Sequence, residues 1–315
     1  MTGLNFIFCF ISFSLILPPQ AVVSKRLPVS KISYAPSRPI DISGAHDMTI
    51  SERSITGGTH PAIILSNCYN IHITRNRLSN STTVGIYLVN CRNIVIDYNY
   101  ISNVSSGVYV ENSGGGIIVD HNQFKNMQGP MPRGQFVQFN NVNGAGNSIS
   151  FNRGENIMGE SNPEDAINLF KSNGLPYSPI KVTGNRIMGG GPSRSGGGIM
   201  LGDNGGSYQV ASENILINPG QYGMAIAGGD HISIIGNTIY GKAQDFTNVG
   251  IYILGQAGYR CSNAMITANK VRFMNAKNIE NDRWLGRGEA VPAGWNANTW
   301  GANINESVLP RVIVR

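Results

Sequence analysis

Residues 84–106 read VGIYLVNCRNIVIDYNYISNVSS, and most of the chain repeats their plan. The stretch holds three short β-prone runs, 85–89, 93–97 and 100–101, each closed by turn-forming Asn, Asp or Ser. Apolar and polar side chains alternate along the runs, so each offers one face to a core and one to solvent. Residues 61–83 (PAIILSNCYNIHITRNRLSNSTT) have the same order of parts, with Asn76 and Asn99, and likewise Cys68 and Cys91, 23 residues apart. Further along, Asn122, then Asn152 or Asn156, and Asn185, Asn214, Asn237 and Asn269 recur in matching contexts. Where the spacing exceeds 23 residues, the surplus is rich in Gly, Pro and Ser, as loop insertions should be. A repeat of β runs with no helical period is a solenoid.

Three strands per turn with Asn at one corner is the pattern of a parallel β-helix. Each coil then rises by one strand spacing, about 4.8 Å. Stacked asparagines can bond from coil to coil, and Asn tolerates the left-handed backbone of a tight corner. On these residues the sequence resembles, over about 40–280, the pectate-lyase-like superfamily of polysaccharide lyases, glycoside hydrolases and mannuronan epimerases. The resemblance implies an all-β, single-domain, right-handed parallel β-helix of roughly nine coils with N- and C-terminal caps. It also implies a sugar chain held on the outer face of one sheet. The reaction type does not follow from the fold. The adjacent aspartates with Gly-His-Gly and Arg-Ile-Lys of polygalacturonases do not occur, and Pro163-Glu164-Asp165 does not replace the Asp-Pro-His of the epimerases.

The expected organisation is a signal peptide at 1–23, a basic, proline-bearing lead-in at 24–40, the β-helix at 41–281 and a C-terminal cap at 282–315. Residues 6–17 (FIFCFISFSLIL) are an apolar run of signal length, too short for a comfortable membrane span, although MTGLN before it lacks Lys or Arg. Export places the protein outside the cell or in the periplasm, as a monomer with no membrane attachment once the segment is cleaved; an uncleaved anchor is the alternative. The first coil is degenerate, with Arg53 where Asn76 has its counterpart. Cys68 and Cys91 stack on adjacent coils and read as free thiols, since neighbouring parallel-strand residues rarely meet disulfide geometry. Trp284, Trp295 and Trp300 fall in the cap. The net charge of +6 suits an acidic polysaccharide. No basic run is interleaved with aromatics, which argues against nucleic acid.

The strand that opens each coil carries the site. Ile86, Val108, Val137, Ile167, Ile199, Met224 and Ile251 should point inward. Tyr87, Tyr109, Gln138, Asn168, Met200, Ala225 and Tyr252 should then point outward, followed by a second outward column of Val89, Glu111, Asn140, Phe170, Gly202, Ala227 and Leu254. Loop insertions gather in the middle coils, at 128–134, 154–165, 172–179 and 189–197, and titratable residues gather there too. Glu164 and Asp165 read as a calcium site or a general acid/base pair, with a capped turn as the structural alternative. No other cofactor is implied. Lys171 is placed to remove the proton α to a uronate carboxylate, or else to pair with Asp203 in the same repeat slot. Arg133 can neutralise a substrate carboxylate. Tyr109, Glu111, Gln138, Asn140 and Asn168 complete the substrate-binding set, and Lys171, Asp165, Glu164 and Asp203 the catalytic one. His231 and His121 read as turn residues.

Three functions follow. The first is a lyase or epimerase that abstracts the C5 proton of an acidic, uronate-containing glycan. The others are a glycoside hydrolase using paired carboxylates and a glycan-binding protein without catalysis. Basic charge, Lys171 and Arg133 place the first ahead.

Overall fold

The protein is described by a computed structural model covering residues 33–315; the expected signal peptide and most of the lead-in lie outside these residues. The described chain coils into a right-handed parallel β-helix. Every named strand pairing is parallel, with each strand matched to its counterpart one turn away.

Three ladders run along the helix. The first begins at Ile40–Ser43 and Ile63–Ser66. It continues through Val137–Asn140, Ile167–Phe170, Ile199–Asp203, Tyr222–Ile226 and Val249–Ile253 to Arg283–Leu285. The second, from His46–Ser51 to Met265–Thr267, forms a separate sheet. The third runs from Ala35–Ser37 to Thr299–Trp300. Strands Arg77–Val89 and Tyr100–Glu111 turn the corner from third ladder to first, joining the two into one sheet.

The alternation in the sequence sets the packing. Ile86, Val108, Val137, Ile167, Ile199, Met224 and Ile251 are consecutive register partners, all at most 2% exposed. Fully burying such a side chain contributes about 1.5–3 kcal/mol, so this column alone is a large share of the core.

Between the second and third ladders stands the asparagine column, Asn76, Asn99, Asn122, Asn152, Asn185, Asn214, Asn237, Asn269 and Asn298. In each case the backbone N–H and the side-chain Nδ2 of one residue donate to Oδ1 of the next, at 2.8–3.1 Å. Asn152 is the column member of its turn, while Asn156 accepts the Met127 N–H at 2.9 Å. Arg53, the degenerate first position, donates only its backbone N–H to Asn76.

Both ends depart from the expected boundaries in the same way. Ala35–Ser37 already forms a third-ladder rung, and Arg283–Leu285 and Thr299–Trp300 carry the ladders past residue 281. Trp295 and Trp300, 5.1 Å apart, pack against the last turn of the core. The tail then doubles back along the outer face of the third ladder. Leu309, Ile313 and Val314 bury themselves with Ile217, and the Arg315 N–H donates to Gln123 Oε1 at 2.7 Å. Cys68 and Cys91 are buried free thiols, and Cys261 is a half-buried one. Among the described residues no helix is long and apolar enough to cross a membrane.

Candidate active site

The outer face of the first ladder is lined as its alternation requires. Tyr87, Tyr109, Gln138, Asn168, Met200, Ala225 and Tyr252 are register partners in one outward column. The second column is Val89, Glu111, Asn140 and Phe170, but its next member is Asp203 rather than Gly202. A bulge between Asn168 and Phe170 on one side and Asp203 on the other shifts the register. Gly202 makes it possible: its φ is 65°, and an added Cβ would lie 1.9 Å from the Gly228 carbonyl oxygen. The bulge swings a carboxylate onto the floor of the groove.

At mid-helix this floor opens into a cleft of about 310 Å³ lined by Tyr109, Met131, Pro132, Gln135, Gln138, Asn140, Glu164, Asp165, Asn168, Phe170 and Asp203. Asn168 is its hub. Its Oδ1 accepts from Gln138 Nε2 at 3.2 Å, and its Nδ2 donates to Asp165 Oδ2 and to Asp203 Oδ2, each at 2.9 Å. Asp165 Oδ1 accepts from the Gly197 N–H at 3.0 Å and from the Tyr222 hydroxyl in a short bond. Tyr222 reaches it across Gly197, where a Cβ would meet the ring at 2.6 Å. Glu164 Oε1 accepts from the Ser195 hydroxyl at 2.7 Å.

The carboxylates differ in environment. Asp165 is buried, and burial pushes its carboxyl up from the ordinary 3.8 to about 6, although the Tyr222 and Asn168 hydrogen bonds pull the other way. Asp203 is only half-buried. A buried carboxyl that holds its proton above the ordinary range, with a second, half-buried carboxyl facing the same cleft, is the arrangement of an acid and its partner.

Seven expected site residues therefore meet: Tyr109, Gln138, Asn140, Glu164, Asp165, Asn168 and Asp203. Arg133 and Glu111 stand beside them. The Arg133 guanidinium covers the Tyr109 ring at 3.7 Å from its centroid, and Asn140 Nδ2 donates to the Tyr109 hydroxyl at 3.0 Å. The Tyr87 hydroxyl donates to Glu111; burial and that carboxylate push the Tyr87 phenol up to about 12. Tyr87 and Arg133 line an adjoining hollow of about 320 Å³.

Lys171 is not brought to the cleft. Because the bulge pairs Asp203 with Phe170, Lys171 sits at the following turn, exposed, with φ 49°. Its ammonium lies 5.2 Å from the Phe170 ring centroid, and among the described residues it makes no ion pair, with Asp203 or otherwise. Its backbone N–H donates to the Asp203 carbonyl at 2.8 Å. The expected shared slot is thus replaced by a one-residue offset.

The cleft suits calcium poorly. Both Asp165 oxygens already accept protein donors, and among the described residues no group of three or more His, Cys, Asp or Glu is placed to hold a metal. Calcium asks for about six to eight oxygen ligands. His231 is a turn residue, bonded to Asp230 at 2.7 Å and stacked on Tyr208.

Comparison with known proteins agrees on the fold. A family model described as right handed beta helix region matches residues 23–153. No curated protein matches the sequence. Among solved structures, the catalytic domain of a GH87 alpha-1,3-glucanase in complex with nigerose is 13% identical, with 82% of this chain and 50% of that chain covered and a TM-score of 0.52. An aspartate-to-alanine form of a GH87 alpha-1,3-glucanase in complex with tetrasaccharides is 12% identical, covering 85% of this chain and 64% of that one at a TM-score of 0.51. Pectate lyase Pel9A is 13% identical, with 86% and 72% covered and a TM-score of 0.38. The chain thus spans half to two thirds of the glucanase domains it matches. At these identities the likeness is one of fold: the chain is a right-handed parallel β-helix, distinguished by a carboxylate-lined cleft on its first ladder.

Proposed function

We propose that the cleft is the active site of a polysaccharide-hydrolysing β-helix enzyme. Asp165 is the general acid and Asp203 the second carboxylate. The observation that carries this reading is the Asn168 amide, shared between a buried and a half-buried carboxylate facing one cleft. Oδ1 of Asp165 accepts from both Tyr222 and Gly197, whereas Oδ2 accepts only the Asn168 amide and is the oxygen that carries and delivers a proton to the leaving glycosidic oxygen. Two hydrogen bonds of 2.9 Å from a single nitrogen keep the facing oxygens of the pair close enough to work on one bond. Asp203 then attacks the anomeric carbon or activates a water, and the anomeric configuration of the first product tells which. Glu164, held by Ser195, and Gln138 and Asn140 offer hydrogen bonds to sugar hydroxyls, while Phe170 and Met131 offer apolar surface. The similarity in fold to alpha-1,3-glucanase catalytic domains supports a glycan substrate. The export reading of residues 1–23 fits an enzyme that meets polymer outside the cell.

C5-proton abstraction, the leading expectation from sequence, keeps one supporting feature, the Arg133 guanidinium beside Tyr109. It has lost its base, since Lys171 stands outside the cleft. The test is a screen of purified protein on neutral α- and β-glucans, pectate and alginate, with and without calcium, following reducing ends and unsaturated-uronate absorbance together. Reducing ends without absorbance, abolished by Asp165→Asn, are expected. Absorbance rising with reducing ends would establish elimination instead, and silence in both with retained glycan binding would leave a binding protein.

A further inference from the structure

A second feature lies away from the cleft, at the corner between the second and third ladders. The residues just before column asparagines on three successive turns are Tyr98, His121 and Phe151. Their φ values are 53°, 51° and 53°, a left-handed conformation that bulky side chains adopt at a cost and Asn or Gly accept readily. The rings stack on one another, centroids 5.2 and 5.4 Å apart, yet Tyr98 is 58% and Phe151 50% exposed. Core burial therefore does not account for aromatic residues at these corners.

The rings form one wall of a hollow of about 440 Å³. Arg153 and Arg186, register partners on consecutive rungs of the third ladder, line it as well. Among the described residues neither arginine has a carboxylate within ion-pair distance. The neighbouring Asp120 carboxylate bonds His121 Nδ1 through Oδ2 at 2.7 Å, while its Oδ1 is buried without a partner among the described residues. Two guanidiniums add planar forks that match a carboxylate. The hollow thus presents two guanidiniums that no carboxylate of the described residues neutralises.

We propose that this corner is a non-catalytic docking site for a uronate-bearing polysaccharide chain, lying along the helix axis. Arg153 and Arg186 are one rung apart, about 4.8 Å, comparable with the length of one sugar unit along an extended chain, so successive carboxylates meet successive guanidiniums. The rings are already in contact with one another and leave no gap for a nucleic-acid base between them. The site is independent of the chemistry assigned to the cleft.

The test is affinity electrophoresis of the full chain in gels containing polygalacturonate, dextran or oligothymidylate at two salt concentrations. Wild type should be retarded by polygalacturonate alone, less so at high salt. Arg153→Ala/Arg186→Ala should weaken that affinity by roughly tenfold, about 1.4 kcal/mol, with unchanged turnover of soluble substrate and an unchanged urea midpoint. Should the double variant unfold, Tyr98→Asn/Phe151→Asn, which suits the left-handed corner, must produce the same loss. Undiminished binding in the variants overturns the site, as does loss with Tyr109→Ala alone, which would place the polymer in the cleft. Equal retardation of wild type by dextran overturns the uronate assignment, and preference for oligothymidylate makes it a nucleic-acid surface.

Discussion

Asp165 is held with its pKa at about 6 by burial, against 3.8 in the ordinary case. Between those values the folded protein keeps a proton that the unfolded chain has released. The contribution of Asp165 to stability is therefore fully present below about pH 4, is lost as the pH rises toward 6 and stays lost beyond it. Asp165→Asn should remove this dependence, worth up to ~3 kcal/mol, while lowering turnover by about 10²–10⁴-fold; urea unfolding at pH 4 and pH 7 beside initial rates checks both. As general acid, Asp165 works while protonated, so kcat/KM should decline above about pH 6. Tyr222→Phe removes a hydrogen bond that favours the carboxylate, and the decline should move to higher pH. A decline left where it is in wild type would deny Asp165 the acid role. Six of the seven site residues are legible in the sequence with their places, because Tyr109, Gln138, Asn140 and Asn168 follow strict alternation and Glu164 and Asp165 abut a strand. Tyr222 and Ser195 are not, since they meet their carboxylates from 57 and 31 residues away, and no local pattern encodes such a contact.

At the level of the element, the asparagine column and the Gly202 bulge divide the labour of holding rungs together and setting one of them apart. Asn152 accepts from the backbone N–H and Nδ2 of Asn122 and donates to Val119 O and Asn185 Oδ1. Asn152→Ala leaves several buried groups without partners, each worth about 1–3 kcal/mol, and should lower unfolding free energy by more than ~3 kcal/mol. Asn298→Ala, at the part-buried end of the column, should cost clearly less in the same denaturant titration. Gly202→Ala should abolish activity while all three cleft carboxylates remain, because the displaced backbone carries Asp203 off the floor; wild-type rates in a folded variant would show the bulge to be dispensable. The column is visible in sequence because a buried Asn has one place to go in each turn. The bulge is not: alternation counted through Gly202 puts glycine on the floor and Asp203 beside Lys171. Asn298 is disguised by the tryptophan-rich insertion around it.

Across the whole molecule, stability is a chain of nearest-neighbour contacts closed at the end by a strap. Leu309, Ile313 and Val314 cover Ile217 and lie beside Met188 and Tyr240 on the third ladder. Deleting residues 309–315 uncovers that strip and should lower the unfolding midpoint by several degrees. Hydrogen exchange should quicken first around Met188, Ile217 and Tyr240, with the cleft rungs 137–170 protected as before; uniform acceleration would mean that the tail supports the fold globally. The tail's apolar residues are plain in the sequence, but the surface they cover is set by how far the chain has wound, which only the assembled helix determines.

The column has one more consequence. Each asparagine bonds only within its own turn and to the two turns beside it, and in the regular stretch its column partners are 23 residues apart. A duplicated or lost unit of that length is absorbed without disturbing any other turn, whereas a change of one residue within a strand flips a face. Length in such a gene is inherited by counting, turn by turn, and the groove can grow longer without its chemistry being rebuilt.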